Sequence, residues 1–462
     1  MPLDRRRFLQ STVAASLASS TWVRGGAAGG RPYGVGVPQG LAEEATVLRV
    51  GILGSGLRGQ SHIRELLGQP QVTVTAIADI DPGMIDRTRS IFSEAGLPAP
   101  AVYDRGPEDY LRLLEEAPVD AVIIATPWRW HTVMATAAMR AGKYTGLEVA
   151  GAFSLDECWD LVRTHEATGT QLFFLENVCY RRDVMAVLNM VRQGLFGELL
   201  HLEGGYQHDL RAVKFNDGKQ AYGGGVEFGE QAMSEARWRT QHSVHRNGDL
   251  YPTHGLGPAA TMLNINRGNR FVGLSSMATR ARGLHDYVVA QGGADHPNAK
   301  VDFKLGDVVT TMLSTQRGEV VVLHHDTNLP RPYSLGFRVQ GTKGLWMDVN
   351  DSLHLEGQSP AHQWEAAAPY LARYDHPYWR ADGEVATGSG HGGMDYFLIK
   401  DFVRAARAGV APPIDVYDAA TWLAVTPLSE QSVAAGGALQ SFPDFTRGRW
   451  MDRPADFATA AP

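Results

Sequence analysis

Apolar runs of β type alternate with amphipathic helical segments over the first part of the chain, from Leu48 onward. The helical segments repeat apolar residues at helical spacing, and several end at glycine, which tolerates the left-handed geometry of a helix C-terminus. This alternation predicts a doubly wound parallel sheet with helices on its faces. The five β-type runs are VLRVGILG (47–54), VTVTAIADI (72–80), DAVIIAT (120–126), KYTGLEV (143–149) and QLFFLEN (171–177).

The pattern changes after Asn177, where the helical segment RRDVMAVLNMVRQG precedes a series of long β runs. Pairs of runs separated by RGE and by GTKG predict hairpins, so the second sheet should be antiparallel or mixed. These runs are HLEGGYQHDL, RFVGLSSMATRARG, DVVTTMLSTQ, EVVVLHHDTN and SLGFRVQGTKGLWMDV. We predict an α/β protein with a doubly wound N-terminal domain (46–177), an α+β domain with an open, mainly antiparallel sheet (178–452) and a C-terminal tail (453–462).

The chain opens on RRRFLQ (5–10), followed by the small and apolar STVAASLASSTWV. Two arginines, a spacer, Phe and Leu before a short, mildly apolar run resemble a twin-arginine export signal. The Gly/Pro-rich RGGAAGGRPYGVGVPQG that follows is typical of a linker. We expect residues 1–33 to hold the signal and the start of the linker, residues 34–45 the rest of it, and the twin-arginine machinery to export the folded protein to the periplasm.

The length, net charge and residue composition of the chain argue against several classes of function. At 462 residues the chain has room for two domains, and its net charge of -7 argues against a nucleic-acid partner. No apolar run approaches the roughly 18 residues of a membrane span. We expect the two cysteines, Cys158 and Cys179, to be core thiols. The sixteen histidines include no HExxH or Cys/His ligand spacing, so no metal is expected.

A GxGxxG motif, Gly54-Ser55-Gly56-Leu57-Arg58-Gly59, lies between the first strand and the first helix. Gly54 permits the tight turn, Gly56 lets backbone amides approach a pyrophosphate, and Gly59 allows close packing of helix on strand. Asp79 follows at the end of the second strand, where a carboxylate accepts both ribose hydroxyls and repels a 2′-phosphate. The motif predicts a Rossmann domain that binds NAD rather than NADP.

Two further strand ends should face the same crevice, since ligands bind outside the carboxyl ends of strands in open α/β sheets. They carry TPWRWH (126–131) and LEVAG (147–151). For the two tryptophans, packing in the core is an equally good interpretation. The predicted nicotinamide and ribose contacts are Trp128, Arg129, Trp130, His131, Glu148, Val149 and Asn177.

The domain order, with TPWRWH, LEV, GELLHLEGG, GDLYPTHGLGPA, GTKG and PIDVYDA, resembles the glucose-fructose oxidoreductase and inositol dehydrogenase superfamily (Gfo/Idh/MocA). One departure is informative. Most dehydrogenases of that superfamily carry Glu-Lys-Pro where this chain has Glu148-Val149-Ala150. Because valine cannot relay protons as the lysine does, the departure argues against a plain alcohol dehydrogenase.

Over nearly all of residues 46–452 the chain is similar to glycoside hydrolase family 109, the NAD-dependent α-N-acetylgalactosaminidases. The motifs are ENVCYRRDVMAVLNMVRQGLFGEL, GGYQHDLR, ARWRTQHSVHRNGDLYPTHG, HDTNLPRPYSLGFRVQGTKG, GHGGMDYF and PDFTRGRW. The resemblance implies tightly bound NAD, no metal and a glycan or smaller sugar substrate facing the nicotinamide. It also implies sugar contacts from Tyr206, Arg239, Tyr251, His254 and Tyr333.

The mechanism of this family oxidises carbon 3 of the sugar, removes the proton of carbon 2, expels the aglycone, adds water and returns the hydride. Such chemistry requires two bases, a polar group for the enolate and aromatic surface for the sugar. Our hypothesis assigns the 3-hydroxyl to His254, carbon 2 to Tyr206 or Tyr251, the oxygen atoms to Arg239 and the pocket wall to Tyr333. Since the hydride returns in every turnover, NAD bound before export could serve for many cycles.

Two other functions stay open, an exported sugar oxidoreductase of the Gfo type with tightly bound cofactor and a non-catalytic sugar-binding protein. The oxidoreductase would be expected to carry a lysine after Glu148 and NADP-compatible residues near Asp79. A homo-oligomer is possible. Because His324 and His325 lie next to each other in a β run and face opposite ways, at most one of them can point at the site. For His391 and Asp395, at positions i and i+4 of a predicted helix start, capping and structural hydrogen bonding are the expected roles.

Overall fold

The computed structural model describes residues 47–455, 457 and 458. The predicted export signal and linker therefore lie outside the described residues, as does most of the predicted C-terminal tail beyond 455. The two sheets described below belong to one compact unit that begins at Val47.

Six strands in the described part of the chain form a parallel sheet in the order β3-β2-β1-β4-β5-β6. The doubly wound sheet is thereby confirmed, and five of its strands lie within the predicted runs. The sixth, β3, spans three residues at the sheet edge, which is too short for a periodicity to show. The bounds are β1 Leu48–Leu53, β2 Val72–Ala78, β3 Ala101–Tyr103, β4 Ala121–Ile124, β5 Tyr144–Leu147 and β6 Leu172–Phe174.

The second sheet has nine strands among the described residues, ordered β14-β13-β12-β11-β7-β10-β9-β8-β15. Only β7 and β10 pair in parallel, so the prediction of a mainly antiparallel sheet is confirmed, and both predicted hairpins form. The bounds are β7 Leu199–Gln207, β8 Phe271–Ala278, β9 Val308–Thr315, β10 Val320–Asp326, β11 Arg338–Gly341, β12 Gly344–Met347, β13 Ser352–Leu355, β14 Glu365–Ala366 and β15 Gln440–Ser441.

Helices follow each strand of the parallel sheet and flank the second sheet. Those up to β7 are α1 Leu57–Leu67, α2 Pro82–Glu94, α3 Asp109–Glu116, α4 His131–Arg140, α5 Leu155–Thr168 and α6 Arg182–Arg192. The later ones are α7 Arg211–Lys214, α8 Arg239–His245, α9 Thr253–Met262, α10 Gly283–Gly292, α11 Ala368–Arg373, α12 Pro377–Ala386, α13 Met394–Ala408, α14 Val416–Leu423 and α15 Val425–Ala434.

Local capping sets where the helices behind the parallel sheet begin. Asp81 accepts hydrogen bonds from the first amides of α2, and proline occupies the first position of that helix. Ser154 and Glu157 form a reciprocal capping box at the start of α5. Because these caps lie just after strands, they hold the loops at the carboxyl edge of the sheet in place.

Three glycines let α9 lie directly on β7. A Cβ on Gly204 would stand 2.7 Å from the carbonyl oxygen of Gly255, and one on Gly255 would overlap the backbone of Gly205. Any side chain here would separate helix from strand. The close approach brings Tyr206, at the end of β7, beside His254, at the start of α9, with ring centroids 5.3 Å apart.

One apolar core continues from the parallel sheet into the second sheet. Phe174 of β6 meets Trp422 of α14 edge to face, with ring centroids 6.0 Å apart. Cys158 and Cys179 are free thiols buried in this core, as predicted. Over residues 47–455, 457 and 458, no helix has both the length and the apolar character that crossing a bilayer requires.

Candidate active site

A cleft of about 550 Å³ runs along the carboxyl edge of the parallel sheet. It lies where the strand order reverses between β1 and β4, the point at which α/β sheets bind ligands. Residues from 229 to 254 and His391 line the wall opposite the sheet. The predicted cofactor contacts that line the cleft are Gly54, Gly56, Leu57, Arg58, Asp79, Trp128, Arg129, Trp130, His131, Glu148, Val149 and Asn177.

The glycine turn leaves one side open. Gly54 has a φ of 89°, and a Cβ there would stand 2.8 Å from the backbone of Ala125. A Cβ on Gly59 would overlap the carbonyl oxygen of Gly54, so helix α1 can start this close to β1 only with glycine. By contrast, no atom lies within 4 Å of the Cβ position of Gly56. The turn amides and the N-terminus of α1 thus face open space that fits a pyrophosphate.

Asp79 is fixed at the end of β2. One carboxylate oxygen accepts hydrogen bonds from the backbone N of Ser55, at 2.6 Å, and from its hydroxyl, at 3.2 Å. The other accepts from the backbone N of Asp81 at 2.9 Å. Ser55 is itself buried beneath the turn. The geometry places the carboxylate where the ribose of a dinucleotide would lie, which fits NAD and disfavours a 2′-phosphate.

Trp128 lies in an aromatic cluster rather than at the surface. It is buried, and its ring centroid lies 5.2 Å from that of Trp238 and 5.6 Å from that of Tyr251. The guanidinium of Arg239 stands 4.9 Å above the same ring. Trp128 therefore packs in a cluster and also lines the cleft. It connects the end of β4 to the wall that the later part of the chain forms.

His131 joins two loops at the carboxyl edge. Its ring is buried, with Nδ1 2.9 Å from the carbonyl oxygen of Ala150 and Nε2 2.8 Å from that of Thr126. Both ring nitrogens are thus engaged by backbone, and burial lowers the pKa of His131. Its neighbours Arg129 and Trp130 form a cation-π pair on the cleft wall.

A buried ionic network lies behind the turn. Oε1 of Glu148 is 2.6 Å from Nε of Arg58 and 2.6 Å from Nε2 of His62, while the amide of Val149 donates to Oε2. Burial alone would raise the pKa of Glu148, but the charge of Arg58 and the hydrogen bond of His62 lower it overall. Burial and the charge of Arg58 also lower the pKa of His62. The cation that faces Glu148 therefore comes from α1, not from the residue that follows Glu148.

The network continues through Asp395, which is fully buried at the start of α13. Its carboxylate contacts Arg58 at 2.7 and 3.2 Å, the amide of Asn177 at 2.8 Å and Nδ1 of His391 at 2.7 Å. The backbone of His391 is left-handed, with a φ of 51°, and glycines follow it. This turn presents a half-exposed imidazole at the mouth of the cleft.

A second histidine and carboxylate pair lies deeper in the cleft. Nδ1 of His254 is 2.7 Å from Oε1 of Glu176, a carboxylate with no exposed surface at the end of β6. The same oxygen accepts a hydrogen bond from the amide of Val178. Because Glu176 engages Nδ1, the ring nitrogen of His254 left for a ligand in the cleft is Nε2.

Tyr206 and Tyr251 lie beside His254. The ring centroid of Tyr206 lies 4.5 Å from that of Tyr251, and the Tyr251 centroid lies 4.9 Å from that of His254. The hydroxyl of Tyr206 is 3.3 Å from Nδ1 of His208. Burial raises the pKa of both tyrosines, while the nearby charge of Arg239 opposes the shift. All three groups line one end of the cleft.

Arg239 is held in place before any ligand binds. It is buried, its NH1 donates to a carboxylate oxygen of Glu235 at 2.5 Å, and its guanidinium lies 5.3 Å from the ring centroid of Tyr251. Burial alone would lower its pKa, but Glu235 and the tyrosines raise it overall. Arg239 therefore places a permanent positive charge beside the aromatic groups of the cleft.

Tyr333, the remaining sugar contact implied by the resemblance, lines a second and more open cleft of about 1150 Å³. Its ring is half exposed and lies 4.9 Å from the ring of His208, which in turn contacts Tyr206. His391 lines both clefts. The structure thus brings four of the five predicted sugar contacts into the first cleft and Tyr333 into the second.

Three contributors to this site are not among the residues that the sequence predicts for it. In the sequence, Glu176 belongs to a predicted strand, and His391 and Asp395 fit a helix cap or structural hydrogen bonding. A histidine between glycines, in GHGG, was the available signal, since such glycines permit left-handed turns that present a side chain.

His324 and His325 alternate as predicted, with His325 buried and His324 partly exposed. Among residues 47–455, 457 and 458, no three His, Cys, Asp or Glu side chains cluster as metal ligands would.

Two family models match the two parts of the chain that form the two sheets. Residues 180–452 match the C-terminal domain of glycosyl hydrolase 109, and residues 48–175 match the oxidoreductase family with an NAD-binding Rossmann fold. A glycosyl hydrolase family 109 protein from Stenotrophomonas maltophilia (strain K279a) is 56% identical, over 99% of this chain and 98% of its own. An α-N-acetylgalactosaminidase from Tannerella forsythia is 53% identical, over 89% of each chain.

Solved structures share the fold at low identity. A levoglucosan dehydrogenase in complex with NADH and L-sorbose is 18% identical, with a TM-score of 0.61, over 86% of this chain and all of its own. An inositol dehydrogenase homolog from Azotobacter vinelandii, in complex with NADH and myo-inositol, is 20% identical with a TM-score of 0.61, over 86% and 98% of the two chains. These likenesses establish the architecture of the two sheets.

Proposed function

This chain belongs to glycosyl hydrolase family 109 and is a glycoside hydrolase with an NAD-binding domain, and we propose that it releases terminal α-linked N-acetylgalactosamine or a related hexose from glycans. The sugar is taken from the name of the Tannerella forsythia relative. We further propose that NAD stays tightly bound and is regenerated in each turnover.

One observation carries the proposal. The pair of His254 and Glu176, the two tyrosines beside it and the guanidinium of Arg239 meet at one end of the cleft that fits the dinucleotide. A glycosidase that used two carboxylates alone would have no need of a dinucleotide cleft at its catalytic groups. The cleft residues would hold NAD, which would supply a hydride acceptor for carbon 3 and, once reduced, a hydride donor to the same carbon.

His254 would take the proton of the 3-hydroxyl at Nε2. Glu176 fixes the ring through Nδ1 and stabilises the positive charge that the ring acquires. Arg239 would bind the sugar oxygen that becomes negative when carbon 2 loses its proton. Its ion pair with Glu235 keeps the guanidinium in position for this role.

For the proton of carbon 2 we propose Tyr206 rather than Tyr251. The hydroxyl of Tyr206 has a neighbour that can take its proton, since Nδ1 of His208 lies 3.3 Å away. Burial raises the pKa of both tyrosines, well above the usual value for Tyr251, and Arg239 is near both, so the tyrosine with a proton relay is the better base.

His391 would handle the proton of the glycosidic oxygen. It stands at the mouth of the cleft, and Asp395 holds its Nδ1, which leaves Nε2 for the oxygen of the departing aglycone. The same nitrogen could then accept a proton from the water that adds to carbon 1. The left-handed turn at His391 and the glycines after it give the imidazole its position at the rim.

The test is hydrolysis of p-nitrophenyl N-acetyl-α-galactosaminide in heavy water, with aglycone release and absorbance of reduced nicotinamide followed together. We expect release without net NADH and deuterium at carbon 2 of the product. A product that keeps its original hydrogen at carbon 2 would exclude elimination. Accumulating NADH would instead indicate a sugar oxidoreductase, and sugar binding with neither signal would indicate a non-catalytic protein.

We also propose export through the twin-arginine pathway, from the RRRFLQ motif alone. Replacing Arg5 and Arg6 together with lysine should retain the protein in the cytoplasm. Fractionation of cells, with an unrelated periplasmic enzyme as the marker, measures this. Unchanged periplasmic recovery of the double variant would contradict the proposal.

A further inference from the structure

The second cleft adjoins the first at the place where the scissile bond would lie. His391 lines both clefts, and the neighbouring strand residues Tyr206 and Gln207 line the first and the second respectively. At about 1150 Å³ the second cleft has roughly twice the volume of the first. Whatever is attached to carbon 1 of a sugar held beside His254 and His391 must therefore extend into the second cleft or into solvent.

The second cleft offers the surfaces that sugar rings bind. The half-exposed ring of Tyr333 and the exposed side chain of Val349 provide apolar area for the faces of a ring. Gln207 and Arg331 supply hydrogen-bond donors on the same lining. Pockets for small molecules combine apolar walls with a few convergent polar groups in this way.

Asp348 adds an acceptor that the fold leaves unused. Its side chain lines the cleft but is only 7% exposed, and its Oδ1 has no hydrogen-bond partner among the described residues. Its other oxygen lies 3.6 Å from Arg181. Burial raises the pKa of Asp348 to about 6, against the opposing charge of Arg181. A buried carboxylate oxygen without a donor is costly, and a sugar hydroxyl would satisfy it.

The arginines of this cleft do not select an anionic ligand, because each already has a carboxylate partner. The pairs are Arg181 with Asp183, Arg182 with Asp375 and Arg331 with Asp326. An uncharged oligosaccharide therefore suits the lining better than a sulfated or sialylated one.

We propose that the second cleft is the aglycone subsite, which binds the neutral sugar residues on the leaving-group side of the scissile bond. The proposal rests on the glycosidase function proposed above. It makes Val349 and Asp348 specificity-determining residues for oligosaccharide substrates, although neither contacts the sugar that is oxidised.

The test replaces Val349 with tryptophan, which fills the cleft from an exposed turn. Two substrates are compared, p-nitrophenyl N-acetyl-α-galactosaminide and a trisaccharide in which the same sugar is α-linked to lactose. We expect V349W to raise KM for the trisaccharide about tenfold and to change kcat and KM for the nitrophenyl glycoside much less, because a nitrophenyl aglycone is a single ring and lactose is two. V410W is the matched control and should resemble the wild type, because Val410 is exposed but lines neither cleft.

Equal effects of V349W on both substrates, or none on the trisaccharide, would overturn the subsite. Binding of lactose, followed by saturation-transfer NMR, separates this outcome from failure of the glycosidase proposal, because it needs no turnover. We expect lactose signals with the wild type and their loss with V349W, even if neither substrate is cleaved. Absence of lactose binding to the wild type would overturn the subsite. A change of oligomeric mass in V349W would also overturn it, because it would indicate that this face contacts another copy of the chain.

Discussion

Nδ1 of His254 lies 2.7 Å from Oε1 of Glu176, a carboxylate with no exposed surface. His254 is the second residue of α9 and Glu176 lies two residues after the end of β6, so the pair joins the second sheet region to the parallel sheet. A similar pair, His296 and Glu227, lies outside the cleft, with its atoms 3.3 Å apart and its carboxylate 38% exposed. Because Glu176 is buried, it can hold the ring of His254 in one orientation for proton transfer. The pair of His296 and Glu227 provides a comparison outside the cleft.

Glu176→Gln should lower kcat by about a hundredfold, because the amide keeps the size of the side chain but cannot stabilise a charged His254. The rate of p-nitrophenyl glycoside hydrolysis measures this, and the pH profile of kcat should shift as well. Glu227→Gln is the matched control and should leave kcat within about twofold of the wild type. Equal activity of the two variants would argue against a role for Glu176.

Arg58→Met should destabilise the fold by about 3–5 kcal/mol at pH 7, because Glu148 and Asp395 would remain buried without their cation. Urea unfolding followed by circular dichroism measures the free energy of unfolding. Arg89→Met removes an exposed pair with Asp86 and should change stability little.

The destabilisation by Arg58→Met should also depend on pH. Although burial opposes it, Arg58 helps to hold the pKa of Glu148 and the pKa of Asp395 below their usual range in the folded protein. Their contribution to stability is therefore present above the unfolded pKa, about 4, and is lost as the pH falls through the folded values. The difference between wild type and variant should therefore hold from pH 7 to about pH 5 and shrink as the pH falls below about 4. A difference that stayed constant below pH 4 would contradict this account of the network.

Asp249→Asn should stabilise the protein at pH 8 and have little effect at pH 4. Asp249 is buried, accepts a hydrogen bond from the amide of Tyr251, and has a pKa that burial raises to about 7. Between the unfolded pKa and pH 7 the folded state holds a proton that the unfolded state has released, so wild-type stability falls as pH rises through this window. Asparagine keeps the acceptor without the charge.

The melting temperatures of wild type and Asp249→Asn, recorded from pH 4 to pH 8, test this sign directly. We expect a difference of a few degrees at pH 8, roughly what 1–2 kcal/mol produces in a protein of this size. Asp295→Asn, at an exposed position, is the control. A difference that grows toward acid pH would refute the assignment.

Gly255→Ala should either prevent folding or move His254 away from Tyr206, because a Cβ at this position overlaps the backbone of Gly205. The soluble yield and the hydrolysis rate measure the two outcomes. Gly383→Ala is the matched control, since Gly383 is also buried in a helix but its Cβ would stand 3.5 Å from the ring of Trp379. That alanine should be neutral or stabilising by about 1 kcal/mol. Normal yield and rate for Gly255→Ala would show that α9 can retreat from β7 without cost.

Much of the architecture follows from local patterns in the sequence. The alternation of β runs and helical segments predicted the parallel sheet because period 2 and period 3.6 reflect burial of one face of each element. The short β3 left no such pattern. The rule that parallel strands end at one edge also predicted that Gly54, Asp79, Glu148 and Asn177 would line a common cleft, and they do.

Pairing of charged side chains could not be predicted in this way. Glu176 meets His254 across 78 residues, Arg58 meets Glu148 across 90, and Arg58 meets Asp395 across 337. Each partner looked ordinary in its own segment, and His391 and Asp395 looked like residues of a helix cap.

By itself, then, the sequence determined the two sheets and the glycine turn of an NAD-binding domain, because these depend on neighbours along the chain and on the edge at which strands end. Only the tertiary structure decided which carboxylate orients which histidine, that Arg58 neutralises two buried acids, and that Tyr333 lines a separate cleft. The reason is physical. Buried charges must be paired, but the partner is selected by how helices and strands pack, and residues far apart in the chain carry no local signal of that packing.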